Sequence, residues 1–365
     1  MDRGSEAISG LFRPHVEIGL RRWRAIEMQT AKIPKPMLFV LMCIGIVGES
    51  CLAIDMPEMF YGDDTYGRPF AKDPDVVKFK GEYHMYYSVR MQKGYAVGIA
   101  RSTDLIEWKK AGELLPGEGC DNNGLAAPAA IIFDNKVHLF YQSYGNGPKD
   151  AICHAISEDG VNFSRNPSNP IFRPSGEWNC GRAIDADVIV RGDRVLLYWA
   201  TRDPSFKIQM LGVSSAPLGC DYAADKWTQL CDKAILKPEL PWEKRCIEAP
   251  AVVEHDGRLF MFYAGAYNNE PQQIGLAVST DGVKWQRLSD YPLLPNGQEG
   301  EWNSSESGHP GVFTDHDGRM YLFFQGNNDA GKTWHLSKMF VRWQGDVPYL
   351  VRPRDKEEFH LRKTR

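Results

Sequence analysis

One unit restarts five times along this chain. KDPDVVKFKGEYHMYYS from Lys72, APAAIIFDNKVHLFYQS from Ala127, IDADVIVRGDRVLLYWA from Ile184, EAPAVVEHDGRLFMFYAG from Glu248 and GHPGVFTDHDGRMYLFFQG from Gly308 follow one template. Each opens on a polar or small residue, often beside Pro, continues as a β-branched run, turns around Gly or Asn, and returns as an aromatic-rich strand, which is the pattern of a β-hairpin. Three of the hairpins are followed by a second shared unit, GIARSTDLIEW, CHAISEDGVNF and GLAVSTDGVKW, in which a strand ends in Ser, passes an Asp turn and reaches an aromatic four residues after that Asp. Each repeat therefore holds four strands. The starting positions Asp73, Ala127, Asp185, Glu248 and His309 are separated by 54, 58, 63 and 61 residues. Four-stranded units at that spacing are propeller blades, so the expected fold is all-β, a five-bladed β-propeller with four antiparallel strands per blade, spanning about Arg68 to Val351.

The remaining chain divides simply. MLFVLMCIGIV, Met37 to Val47, follows Lys32 and Lys35 and precedes the small-residue site Cys51-Leu52-Ala53, as a secretory signal does. The run is shorter than the ~20 apolar residues of a membrane span, so the expectation is a secreted or periplasmic protein with no stable span after cleavage, an uncleaved anchor being the alternative. The Arg-rich first 27 residues precede a second methionine, Met28, where a signal of ordinary length would begin. The expected domains are thus an N-terminal extension and signal over 1–53, the propeller over 54–351 and a charged tail over 352–365. Of the six cysteines past the signal, Cys220 and Cys231 bracket one short segment and are the expected disulfide pair in an exported chain; the alternative is that several are free buried thiols.

Composition limits the partner. The formal net charge is −4 and, past the N-terminal run, the basic residues are scattered, so no basic face for nucleic acid is expected. Aromatic residues make up 12%, including 10 Trp and 15 Tyr, and flat rings suit sugar faces as well as cores. A neutral ligand fits better.

In a propeller the innermost strand of every blade lines the central channel, so equivalent blade starts meet around one rim. Here those positions carry Asp73, Asp185, Glu248 and His309. Hydrolysis of a glycosidic bond needs one carboxylic acid to protonate the leaving oxygen and a second carboxylate to activate water or to attack; a third, ionised beside the acid, raises its pKa. Asp187, two residues past Asp185 on the same strand face, is a candidate for substrate contact. Arg182, Trp178, Trp199 and Trp302 flank the rim positions and are candidates for holding a sugar. Asp159, Asp281 and Asp317 read as turn residues.

The motifs KDPDVV, LAAPAAIIF, AIDADVI, IEAPAVV and SGHPGVF resemble the blade starts of the family 43 glycoside hydrolases, a likeness that covers nearly the whole mature chain and extends to the family 32 and family 117 propellers. It implies an oligo- or polysaccharide substrate and an inverting, exo-acting glycosidase for arabinose-, xylose- or galactose-type residues of plant or algal polysaccharides. By that resemblance Asp73 is the general base, Asp185 the pKa-modulating aspartate, Glu248 the general acid, and His309 the axial histidine beside a calcium or a water. No cofactor is implied for the chemistry, only a structural Ca²⁺ near the axis. The chain departs from the family where Ala186 and Ala249 stand in place of the frequent Pro and Gly. Asp203 lies in an Arg-Asp-Pro triplet like that of invertase-like propellers but follows a strand, and reads as a loop residue near the rim. The alternatives are a family 117-like hydrolase of agar fragments, in which His309 and Glu306 would take a more direct part, a retaining or phosphorolytic relative, and a non-catalytic sugar-binding propeller.

Overall fold

A computed structural model describes residues 58–352. The expected extension and signal over 1–53, and all but the first residue of the expected tail, lie outside the described residues. Blade 1 comprises β1 (Lys72–Phe79), β2 (Glu82–Arg90), β3 (Tyr95–Ser102) and β4 (Lys109–Leu114). Blade 2 holds β5 (Leu125–Phe133), β6 (Lys136–Ser143), β7 (Ile152–Ser157) and β8 (Ser164–Arg165). Blade 3 is β9 (Ile184–Arg191), β10 (Arg194–Arg202), β11 (Gln209–Pro217) and β12 (Thr228–Gln229). In blade 4 the strands are β13 (Ile247–His255), β14 (Arg258–Gly265), β15 (Gln273–Ser279) and β16 (Gln286–Arg287). Blade 5 consists of β17 (Glu306–Thr314), β18 (Met320–Asn327), β19 (His335–Gln344) and β20 (Val347–Val351). Each blade is one antiparallel sheet in chain order, and β1, β5, β9, β13 and β17 adjoin one another in a ring, as the repeats predict.

Local chemistry explains the blades. Lys80-Gly81, Asp134-Asn135 and Asp256-Gly257 close the first hairpins of blades 1, 2 and 4 with positive φ at both turn residues, the geometry whose twist matches paired strands. Ser102-Asp104, Ser157-Asp159 and Ser279-Asp281 each cap a turn, the Ser and Asp side chains accepting backbone N–H groups just downstream. Aromatic side chains from second strands pack over glycines of third strands. A Cβ at Gly212 would stand 2.3 Å from the Trp199 ring, so only glycine lets that indole lie flat on the sheet. The ring closes where the segment before β1 pairs with blade 5: Tyr61 and Leu336 exchange backbone hydrogen bonds at 3.0 and 2.8 Å.

Every inner strand carries a bulge at the same place, and at its corner stands a residue with left-handed φ: Asp73 (54°), Ala127 (45°), Asp185 (49°), Ala249 (48°) and His309 (40°). A non-glycine residue there costs on the order of 1 kcal/mol or more, and five at one rim are a strained ring of the kind that aims side chains at a site. Three of their N–H groups are captured by the preceding blade: Asp73 donates to Gln325 Oε1 at 3.0 Å, Ala127 to Ser88 Oγ at 2.8 Å and Asp185 to Gln142 Oε1 at 2.7 Å. This ring corrects the repeat frame, because the blade 4 member is Ala249, not Glu248. Glu248 reaches the rim from the position before it.

The expected Cys220–Cys231 bridge is not formed. All six described cysteines are free thiols: Cys220 Sγ accepts the Tyr222 N–H at 3.3 Å, within its own turn, and Cys231 Sγ the Val213 N–H of β11 at 3.4 Å, so the two sulfurs have different partners. The sulfurs that do approach are those of Cys120 and Cys153, at 3.2 Å.

Candidate active site

At the bulged end of the inner strands, Asp73, Asp185, Glu248 and His309 converge on a pocket of about 180 Å³. The imidazole of His309 stands between two carboxylates, with Nδ1 2.7 Å from Asp73 Oδ1 and Nε2 hydrogen-bonded to Glu248 Oε1 at 3.1 Å. Side-chain amides complete the surroundings of Glu248: Gln272 Nε2 donates at 2.7 Å, Asn268 Nδ2 at 3.4 Å, and Gln209 Nε2 donates to the other oxygen. Asp185 Oδ2 is buried and has no partner.

Burial and charge divide the carboxylates. Burial alone would raise Asp73, but the charges of His309 and Lys72 outweigh it and hold the carboxyl well below the usual range. Glu248 is buried too, and is drawn below its ordinary value by the hydrogen bond and charge of His309, then by Lys72 and Gln272. Asp185 moves the other way: burial and the neighbouring Glu248 charge push it up to about 7. His309, flanked by Asp73 and Glu248, is raised well above its ordinary value despite burial, and so is an imidazolium at neutral pH. Below about pH 7 the site thus holds an ionised Asp73 and one proton shared by the Asp185–Glu248 pair and resting on Asp185, and the nearest facing atoms of the two lie within 4.8 Å.

Other expected residues separate. Arg182 lines the pocket, held by Asp150 Oδ2 at 3.0 and 3.2 Å. Asp187 does not reach it: its Oδ2 accepts the Val252 N–H at 2.8 Å and ties blade 3 to blade 4, as Asp75 ties blade 1 to blade 2 through Ala130 at 2.7 Å. The bulge between the two aspartates turns them to different tasks. Trp199 is fully buried, donates to Ser214 Oγ at 3.1 Å and packs against Phe172, so it is core, and Trp178 is a half-buried ring stacked on it outside the pocket. Trp302 packs on Phe324 and Phe60, outside the pocket. Asp203 caps its own loop by accepting the Lys207 and Ile208 N–H groups. Glu306 braces Gln325 at 2.7 Å behind the pocket, and burial pushes it up to about 7.

The pocket also takes in residues that sequence reasoning missed: Lys72, Tyr95, Tyr144, Arg202, Gln209, Tyr267 and Asn268. Of these, Lys72, directly before Asp73, and Arg202, in the Arg-Asp-Pro triplet read as near the rim, carried a positional signal.

Asp185, Glu248 and His309 can each turn one ligand atom to a common point. The set does not suit calcium, which takes about 6–8 oxygen ligands. Both His309 nitrogens already face carboxylates, so the expectation of His309 as a metal ligand does not fit this geometry.

The family model of "Glycosyl hydrolases family 43" matches residues 67–346, the whole ring of blades but for its last few residues. The chain belongs to glycosyl hydrolases family 43. Among curated members similar to this family 43 chain are an α-L-arabinofuranosidase of Humicola insolens, 25% identical over 75% of this chain and 60% of that protein, and an extracellular exo-α-(1→5)-L-arabinofuranosidase of Streptomyces avermitilis, 23% identical over 77% of this chain and 62% of that one. The chain thus spans less than two thirds of the length of either. A crystal structure of a thermostable family 43 glycoside hydrolase superposes with a TM-score of 0.64 at 20% identity, over 80% of this chain and 96% of that one, which is a likeness of fold.

Proposed function

We propose that this family 43 chain is an exported, exo-acting, inverting glycosidase that removes terminal arabinose-type residues, with xylose and galactose types as the near alternatives. The observation that carries inversion is the imidazole between Asp73 and Glu248. The imidazole keeps the two carboxylates apart, one on each ring nitrogen, which supports the wide separation of ~6.5–9.5 Å that admits a water over the ~5–5.5 Å of a double displacement. A pocket of about 180 Å³ rather than an open cleft supports exo action on one terminal residue. The names of the two arabinofuranosidases support the sugar, and the extracellular one supports export.

In this reading Asp73, kept ionised, takes a proton from water as the water oxygen bonds the anomeric carbon. The glycosidic C–O bond breaks, and Glu248 gives its proton to the departing oxygen. That proton waits on Asp185 and reaches Glu248 by a transfer within the pair. Raised to about 7, Asp185 keeps the pair's proton below that pH and loses it above, so the rate on an aryl α-L-arabinofuranoside should fall on the alkaline side near pH 7. The acid limb belongs to Asp73 and lies below its ordinary ~3.9, since Asp73 is depressed. Asp185→Asn leaves the proton only Glu248, which His309 and Lys72 hold low, so the alkaline limb should move down by about one pH unit or more. A pH–rate series on both proteins tests this; an unmoved limb contradicts the shared proton, and no hydrolysis of arabinosides, xylosides or galactosides overturns the function.

A further inference from the structure

Arg202 is a pocket cation without an ion pair among the described residues. Arg182 is matched by Asp150 at 3.0 Å and His309 stands between Asp73 and Glu248; Lys72 makes no ion pair within 4 Å among the described residues, but its ammonium lies 4.6 Å from the Trp334 ring and in the field of Asp73, the residue next to it. Arg202 ends β10 and lines the pocket, and its Nε donates to Gln209 Oε1 at 3.0 Å. That bond fixes the guanidinium plane and leaves both terminal nitrogens free of protein partners among the described residues. Tyr267 supports the group, its ring centroid 5.4 Å from the Arg202 guanidinium carbon; the second cation on the same ring, Arg245 at 5.1 Å, is taken by Glu270 at 3.0 Å. The result is a half-buried, pre-oriented fork with two donors facing the pocket, the arrangement that binds a carboxylate or sulfate by paired hydrogen bonds.

Its position relative to the chemistry is fixed by one side chain. Gln209 accepts from Arg202 with its oxygen and donates to Glu248 with its nitrogen, so the free fork lies next to the group that protonates the departing oxygen. We infer that Arg202 forms an anion subsite on the leaving-group side, so that the sugar from which the terminal residue is cut carries one negative group, a uronic acid carboxylate or a sulfate ester. This rests on the glycosidase reading of the same pocket and narrows its substrate. The site's charge supports it: with the pair's proton in place on Asp185, the four cations Lys72, Arg182, Arg202 and His309 face three carboxylates, Asp73, Glu248 and the Asp150 behind Arg182, an excess of one positive charge.

Two measurements test it. In the first, titration calorimetry on the native protein compares galacturonate, glucuronate and galactose 6-sulfate with galactose and glucose. At least one charged probe should bind about tenfold tighter than its neutral parent, with the preference shrinking as salt rises. The uronate and sulfate arms identify which anion is recognised. Arg202→Met should erase the preference and Arg202→Lys retain part of it, with circular dichroism confirming that both fold. In the second, an arabinofuranosyl disaccharide with a uronate leaving sugar should show about tenfold higher kcat/KM than its neutral analogue. Equal binding of charged and neutral probes, or a preference that survives Arg202→Met, overturns the subsite. Binding needs no turnover, so charge-selective binding by a protein that hydrolyses nothing would overturn the glycosidase reading and leave the subsite standing, whereas hydrolysis indifferent to leaving-group charge would do the reverse.

Discussion

Asp73→Asn abolishes turnover on activated and unactivated substrates alike, a fall of roughly 10³-fold or more, while the folded state survives. The amide keeps the volume of the carboxylate and loses its function as a base, since Asn cannot accept a proton from water. No neighbour substitutes: Asp185 carries the pair's proton below about pH 7, and Glu248 lies across the His309 ring from Asp73. Loss of the Asp73 charge also removes the largest influence holding His309 cationic, so the histidine should titrate lower in the variant, a shift visible by proton NMR. Near-normal rates on an aryl arabinoside would show that Asp73 is not the base.

Glu248→Gln has an effect that depends on the leaving group. An alcohol or sugar cannot depart without a proton, and the rate on natural linkages should fall by roughly 10²–10⁴-fold. A dinitrophenolate departs unaided, so the same variant should lose far less on the dinitrophenyl glycoside. Gln also breaks charge complementarity with His309 and turns one of its amide groups toward the donors of Gln209, Gln272 and Asn268, so some loss in KM accompanies the loss in kcat. Equal falls on the two substrates would show that Glu248 positions substrate rather than supplying a proton.

Why the blades were legible and part of the site was not comes down to the range of the interactions concerned. A hairpin is local: Asp256-Gly257 between β-branched and aromatic runs predicts its own turn, and five such units at similar spacing leave few folds open. The rim was legible as a rim for the same reason. Its frame was misjudged by one residue in blade 4, because Glu248 and Ala249 both fit the template and only the left-handed φ of Ala249 distinguishes them. Strand alternation says that Trp199 faces away from its neighbours but not which face is the core, and the deciding partner, Gly212, sits on the next strand. Asp187 was read as a neighbour of Asp185 on one face, whereas the bulge between them sends it to the Val252 amide. Arg202, Gln209, Gln272 and Tyr267 lie at strand ends and in loops, where no periodicity marks them. A cysteine pairing depends on where two loops meet, which spacing along the chain does not determine.

The anomeric form of the first product tests the central claim most directly. With Asp73 activating water across the sugar from Glu248, a single displacement inverts the anomeric carbon. Proton NMR of an α-arabinoside digest, followed within the first turnovers and before mutarotation, should therefore show the β-anomer first. If the α-anomer is the first to accumulate, the carboxylates act by double displacement, and the account of Asp73 as a base set apart from Glu248 by His309 is wrong.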